Sequence, residues 1–411
     1  MKNSEQRIKQ HLEALAQFTA TPGAGTTRLS YSDEDKQARA YLKSQMRSLG
    51  LLVSEDAIGN IYGRLAGVDN TLPPVMVGSH FDSVPHGGMF DGPAGVVTAL
   101  EVASRFYLEK YRPHCPVDIV ALVEEEGTSF GAGLLASRTL VGQVSASDMQ
   151  QLHDRNGVSA YERMAQAGFN ADDIPNMVRK PGDIKAFIEL HIEQGPVLEA
   201  EQLDLGLVDV VVGISQLEIT IEGKAGHAGT TPMAGRVDAL RCAAQLVEEV
   251  AQLAEQAGDG AVATVGKLAV YPNGANVIPS KVTMSVDIRA KNAALIEQII
   301  QGIQQKLHQI QQQRFTSTLT ERIRVAPQQL DPKIHQCLAQ ESERLGYRFK
   351  TMPSGAGHDA MIFASIAPVG LVFVPSRHGL SHHPDEWTDY AQIEKGVDVV
   401  YATIKALTKA E

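Results

Sequence analysis

The chain has 411 residues, 43% of them hydrophobic and 21% charged, a globular composition too long for one ordinary core, so two domains are expected. Its net charge of −11, with no Lys/Arg-rich run, argues against nucleic acid as a partner, because phosphate binding needs clustered cations. Cys115, Cys242 and Cys337 are odd in number, far apart and without a CxxC pair. They suggest neither a disulfide framework nor a thiolate zinc site, and a reducing cytoplasm is the default.

The opening "MKNSEQRIKQHLEALAQF" reads as an amphipathic helix rather than a signal peptide, since it lacks a continuous apolar core. No apolar run of the ~18 residues a membrane span needs is present, so no membrane span is expected. "PPVMVGSH" is a buried strand ending in a polar tip, and "GPAGVVTALEVASRFYLEKY" is a helix that starts on small residues. "PVDIVALVEEEG" and "IKAFIELHIEQG" repeat the pattern of apolar strand and polar tip. Apolar strands separated by helices predict a mostly parallel sheet with helices on both faces. In such sheets ligands bind beyond the carboxyl ends of the strands.

Residues 212–327 read differently. "SQLEITIEG" alternates Leu217, Ile219 and Ile221, a strand with one buried face. "GRVDALRCAAQLVEEVAQLAEQAG" is helical, with Val237, Leu240, Ala244, Val247 and Ala251 on one stripe. The strands "AVATVGKLAV" and "KVTMSVDIRA", the helix "AALIEQIIQGIQQKLHQIQQQ" and the strand "STLTERIRV" follow. The order βαββαβ is that of a ferredoxin-like domain. The chain then returns to an apolar strand in "SIAPVGLVFVPS". The expected fold is α/β: a mixed, mostly parallel sheet from residues 1–211 and 328–411, with a ferredoxin-like domain of residues 212–327 inserted into it.

Metal-capable side chains gather at the strand tips: His80 and Asp82 in "GSHFD", Asp91 in "FDGPAG", Glu124–Glu126 in "EEEG", His191 in "ELHIEQG", and a histidine pair in "GLSHHPDE". Imidazole and carboxylate donors suit zinc, manganese, cobalt or nickel. A pair of metals needs a bridging carboxylate, and Asp91 is placed to bridge, after a glycine loop and before a helix. One histidine at a strand end is more often a surface or hydrogen-bonding residue than a ligand. Three adjacent glutamates fit a solvated turn, or a cation that offsets their repulsion and leaves one carboxylate free as a base. Four tips in agreement lift the site above its parts.

Together "GSHFDSV…GGMFDG", "EEEG", "ELHIEQGPVLE", "GHAGTTPM", "GANVIPS", "SGAGHDA" and "GLSHHPDE" resemble the M20 metallopeptidase superfamily, and within it the hydantoinase/carbamoylase amidase branch. The resemblance implies two divalent metal ions (Zn, Mn, Co or Ni) held by His80, Asp91 as the bridge, Glu126, His191 and His382. It implies that Asp82 orients His80 and that Glu125 is the general base. It assigns His227, Asn276 and Arg289 to the substrate, with Arg289 on its carboxylate, and Gln194 to the ureido group. His358 is expected near the site in a supporting hydrogen bond. His86 matches no ligand and reads as a loop residue, and His383 is left out. The implied reaction cleaves the carbamoyl C–N bond of an N-carbamoyl-L-amino acid to amino acid, carbon dioxide and ammonia. Allantoate or another ureido acid is the alternative, weakened by the neutral Ser215 and Gln216 where allantoate-cleaving members can carry basic residues. An M20-type dipeptidase, and a metal-free binding protein on a retired hydrolase scaffold, are further alternatives. The inserted domain is implied to act as a lid and homodimer interface.

Overall fold

A computed structural model describes residues 3–311 and 314–410. The chain forms two compact units, Met1–Asp209 with Gln329–Glu411, and Val210–Gln328.

The first unit is built on a sheet whose centre is parallel. Strands Val117–Leu122, Val75–His80, Ala186–Ile192 and Val369–Val374 lie side by side in that order. Every residue in these four strands is buried, as a sheet covered on both faces requires. The flanks are antiparallel: Leu52–Glu55 and Ile61–Leu65 on one side, Leu205–Val211 on the other. The mostly parallel sheet read from the sequence is this apolar centre. The flanking strands Leu52–Glu55 and Ile61–Leu65 are short and interrupted by polar residues or glycine, so no continuous apolar run marks them.

The register fixes the site. Val75 pairs with Ala186 and Val77 with Ile188, so His80 and His191, five residues further on, reach the same level. The ladder between these two strands stops at Ile188. From Val75–His80 the chain goes to a neighbour on one side, and the strand beside Ala186–Ile192 lies on the other. This is the switch point at which open α/β sheets bind ligands.

The first helix, Ser4–Ala16, starts on an Asn3–Gln6 capping box and buries Ile8, Leu12 and Leu15. Met1 and Lys2 of the predicted helix lie outside the described residues. Helix Pro93–Glu109 follows the Asp91 loop, has proline at its first position and stops at Lys110 in the left-handed conformation.

The second unit is a four-stranded antiparallel sheet in the order Thr316–Val325, Gly213–Glu222, Lys281–Ala290, Val262–Tyr271. Helices Ala239–Ala257 and Ala293–Gln311 complete the βαββαβ order. The core joins Leu217, Ile219 and Ile221 to Val282, Met284, Val286 and Ile288 and to the helices' apolar stripes. Gln312 and Gln313 of the predicted second helix lie outside the described residues. The first helix corrects the predicted stripe. Its buried residues are Ala239, Cys242, Ala243, Leu246, Val250 and Ala254, whereas Leu240 and Val247 sit on the shoulder and Ala244 and Ala251 are exposed. Two apolar stripes run side by side along this helix, and the one centred on Leu246 faces the sheet. Among the described residues no helix is long and apolar enough to cross a membrane.

Candidate metal centre

Three loops leave the carboxyl ends of the central strands and meet. Each loop depends on a backbone feature the strand cannot supply. Gly92 has φ +76, and a Cβ there would lie 2.4 Å from the His80 ring, so only glycine lets Asp91 sit beside His80. Glu124 and His382 hold φ of +54 and +55, a strain found at functional sites.

The side chains converge on Asp91. His191 Nε2 is 3.2 Å and His80 Nε2 3.4 Å from Asp91 Oδ1. His382 Nε2 is 3.3 Å from the other oxygen, Oδ2, and 3.4 Å from Glu126 Oε2. Glu125 Oε2 approaches His80 Nε2 at 3.9 Å. Three groups therefore present donor atoms within 4.8 Å of one another: His80, Asp91 and His191; Asp91, Glu126 and His382; and His80, Glu125 and Glu126. Asp91 belongs to the first two, one oxygen to each.

The charge balance calls for a cation. Glu124, Glu189, Asp82, Asp91, Asp359 and Glu386 are all buried, and the Glu125 and Glu126 side chains are only 11% and 7% exposed. Burial, then the charge of Glu126 and its acidic neighbours, pushes the Glu125 carboxyl well up against the opposing pull of His80. Burial and the charge of Asp91 push Glu126 up to about 7. Burial also works against Asp91, yet His191, His382 and His80 hold it well below the usual carboxylate range. His80 Nε2 and Glu126 Oε1 are buried without a hydrogen bond, as ligand atoms would be. The donor set, imidazole nitrogen and carboxylate oxygen, fits zinc, manganese, cobalt or nickel.

A sequence profile of the peptidase family M20/M25/M40 matches residues 76–406, which includes every residue of this cluster. The chain belongs to that family. The M20 family is metal-dependent, and this M20 chain has the groups to hold metal. It is 41% identical over 409 residues to an N-carbamoyl-L-amino-acid amidohydrolase from Paenarthrobacter aurescens, covering 99% of both chains. It is 36% identical over 399 residues to an allantoate amidohydrolase from Bacillus subtilis, covering 97% of this chain and 95% of the relative. A hydantoinase/carbamoylase family amidase from Burkholderia multivorans superposes with a TM-score of 0.94 at 34% identity, over 98% of each chain.

Other expected residues fall in several places in this M20 fold. Asp82 touches His80 less than its backbone does: His80 Nδ1 lies 3.2 Å from the Asp82 carbonyl oxygen and 3.4 Å from its carboxylate. The carboxylate also accepts the backbone N–H groups of Glu125 and Glu126, tying the two loops together. Gln194 Nε2 donates to Asp91 Oδ2 at 2.7 Å, and its Oε1 has no partner. His358 packs edge-on against His191, ring centroids 4.5 Å apart, and its Nε2 meets Ser354 Oγ. Burial, then the neighbouring His191, holds its imidazole well below the usual range. The glutamate triplet divides. Glu124 turns away to accept the N–H groups of Ser129 and Phe130, while Glu125 and Glu126 face the histidines.

His86 and His383 stand aside. His86 Nδ1 meets the Ala24 carbonyl oxygen, and His383 Nδ1 accepts the Asp385 N–H. His86→Ala is expected to leave metal content and turnover within about twofold of the parent, measured by elemental analysis and steady-state kinetics. Arg28 carried no sequence signal. It is fully buried and donates to the carbonyl oxygens of Phe81, Leu15 and Phe18, fixing the residue between His80 and Asp82.

In the second unit, strand pairing of Gly226–His227 with Val277–Ile278 sets His227 beside Asn276, whose carbonyl oxygen accepts the Ala228 N–H. His227 Nδ1 accepts the N–H groups of Gly229 and Thr230. The proton therefore resides on Nε2, which is left as a donor. Arg289 Nε donates to Asp287, which Gln216 also holds.

Proposed function

We propose that the protein is a dinuclear metal amidohydrolase that cleaves the carbamoyl C–N bond of N-carbamoyl-L-amino acids to amino acid, carbon dioxide and ammonia. The observation that carries this is Asp91, with one oxygen facing His80 and His191 and the other facing His382 and Glu126. Divalent ions held there by His80, Asp91, His191, Glu126 and His382 would polarise the scissile carbonyl and make a water more acidic. Glu125 is the base that would take a proton from the attacking water and give it to the leaving nitrogen. Its backbone N–H is held by the Asp82 carboxylate, and its own carboxylate faces His80. His227 Nε2–H and Asn276 supply donors for the oxyanion that develops on the carbonyl. Arg289, whose Nε donates to Asp287, is assigned to the substrate carboxylate. Gln194 is assigned to the ureido group through its free Oε1, and His358 to the support of His191.

The inserted unit is read as a lid that also forms a homodimer. Its edge strand Val262–Tyr271 supports this, with Val262, Leu268 and Tyr271 about half exposed and, among the described residues, no strand paired on its outer side. Three free cysteines fit a cytoplasmic setting.

The test is a panel of N-carbamoyl-L-amino acids, allantoate and dipeptides, scored for ammonia and amino acid with manganese, cobalt, nickel or zinc. Ammonia from the carbamoyl acids is the expected result. Release from allantoate alone would move the substrate to that ureido acid, and turnover of dipeptides alone would make the chain a peptidase. No hydrolysis with any of the four metals would overturn the enzyme reading.

A further inference from the structure

Four residues after His382, a glutamate does something the metal cluster needs and no ligand supplies. The Glu386 side chain is 3% exposed and reaches across the fold to the Asp91 loop. Its Oε1 accepts the backbone N–H groups of Phe90 and of Asp91, both at 3.0 Å. Its Oε2 contacts Ser381 Oγ at 2.9 Å, and the same hydroxyl lies 2.8 Å from Asp91 Oδ2. Gly88 leaves room for this, since a Cβ there would stand 2.2 Å from Glu386 Oε1.

We propose that Glu386, acting with Ser381, is a positioning residue that clamps the Asp91 loop to the His382 loop. Segments almost 300 residues apart in sequence contribute to one coordination group, Asp91, Glu126 and His382. Of these, His382 is the weakly anchored member, its side chain 50% exposed and its backbone in the left-handed region. A loop so exposed gains little from packing and depends on hydrogen bonds for its place. Glu386 accepts two from the backbone beside Asp91, and its Oε2 lies beside the Ser381 hydroxyl, whose one proton is shared between it and the Asp91 oxygen that faces His382. In the first group His80 and His191 sit on buried strand ends and only Asp91 stands on the clamped loop, whereas in the second group both Asp91 and His382 lie on the loops that Glu386 joins. The effect is therefore larger at one of the two ions. Outer partners of this kind change metal affinity by about 10–100-fold.

This inference rests on the dinuclear reading, and titration of the metal-stripped full chain with Mn²⁺ or Zn²⁺ separates the two. A parent chain that takes up only one ion overturns the dinuclear reading. If the parent binds two, Glu386→Ala is expected to weaken the second ion by about 10-fold or more and the first by clearly less. Glu386→Gln keeps an oxygen for the two N–H groups and an amide for Ser381, and is expected to restore the second ion. Should Glu386→Ala fail to fold, Ser381→Ala decides, since it leaves the backbone bonds intact; a several-fold loss at the second ion is expected. Equal two-ion affinities in the parent, in Ser381→Ala and in any folded Glu386→Ala would overturn the clamp, as would equal weakening of both ions.

Discussion

Glu125→Gln is expected to keep its metal and to lose hydrolysis by about 10²–10⁴-fold, the range for removing a general acid–base. The substitution changes charge and proton affinity but not size. Glu125 is held by its backbone N–H on Asp82 rather than by its carboxylate, so the glutamine should occupy the same place. The two groups that share Asp91, His80 with His191 and Glu126 with His382, do not include Glu125, so metal content should not fall. The loss should appear in kcat, with KM little changed, because the missing step is proton transfer and not binding. Elemental analysis and steady-state kinetics on one preparation read both quantities. Retained turnover would remove Glu125 as the base, and loss of an ion would make it a ligand through its contact with His80 and Glu126.

The same residues show what a sequence can carry. The apolar strands were legible because a buried parallel strand leaves a continuous run, and a polar residue at the end of such a run stands out. His80, the Glu124–Glu126 triplet and His191 were all visible this way. Which glutamate does what was not legible. Three identical neighbours differ only in direction, and direction is set by the left-handed backbone at Glu124 and by its bonds to Ser129 and Phe130. Partners distant in the chain were also hidden. Glu386 meets Asp91 from 295 positions away, and Arg28 meets Phe81 from 53; neither spacing leaves a periodic trace. A buried polar side chain in an irregular loop looks, in sequence, like any solvated one. The helix Ala239–Ala257 failed in a different way. Its apolar residues fill two adjacent stripes, and only packing on the sheet decides that Ala243, Leu246 and Val250 go inward.

Asp91→Ala is expected to cost both ions, where removal of any other candidate ligand costs chiefly one. Asp91 alone belongs to both the His191 and the His382 group, and each of its oxygens faces a different group. The alanine would bring His80, His191 and His382 together without the carboxylate that lies within 3.4 Å of each. It would also take from the half-buried Gln194 amide its 2.7 Å acceptor and leave it the weaker one, Ser381 Oγ at 3.3 Å. The metal-free variant should therefore melt somewhat below the metal-free parent. The larger difference should come on adding metal. A ligand at 100 times its Kd stabilises the folded state by about 2.7 kcal/mol, so the parent's melting temperature should rise with metal and that of Asp91→Ala should not. Asp91→Asn separates the two roles of the side chain, since its amide keeps one oxygen and the loop's shape but cannot bridge as a carboxylate; one ion, held more weakly, is the expected outcome. Two ions retained in Asp91→Ala, seen by elemental analysis after dialysis, would remove Asp91 as the bridge and leave the two histidine groups as independent sites.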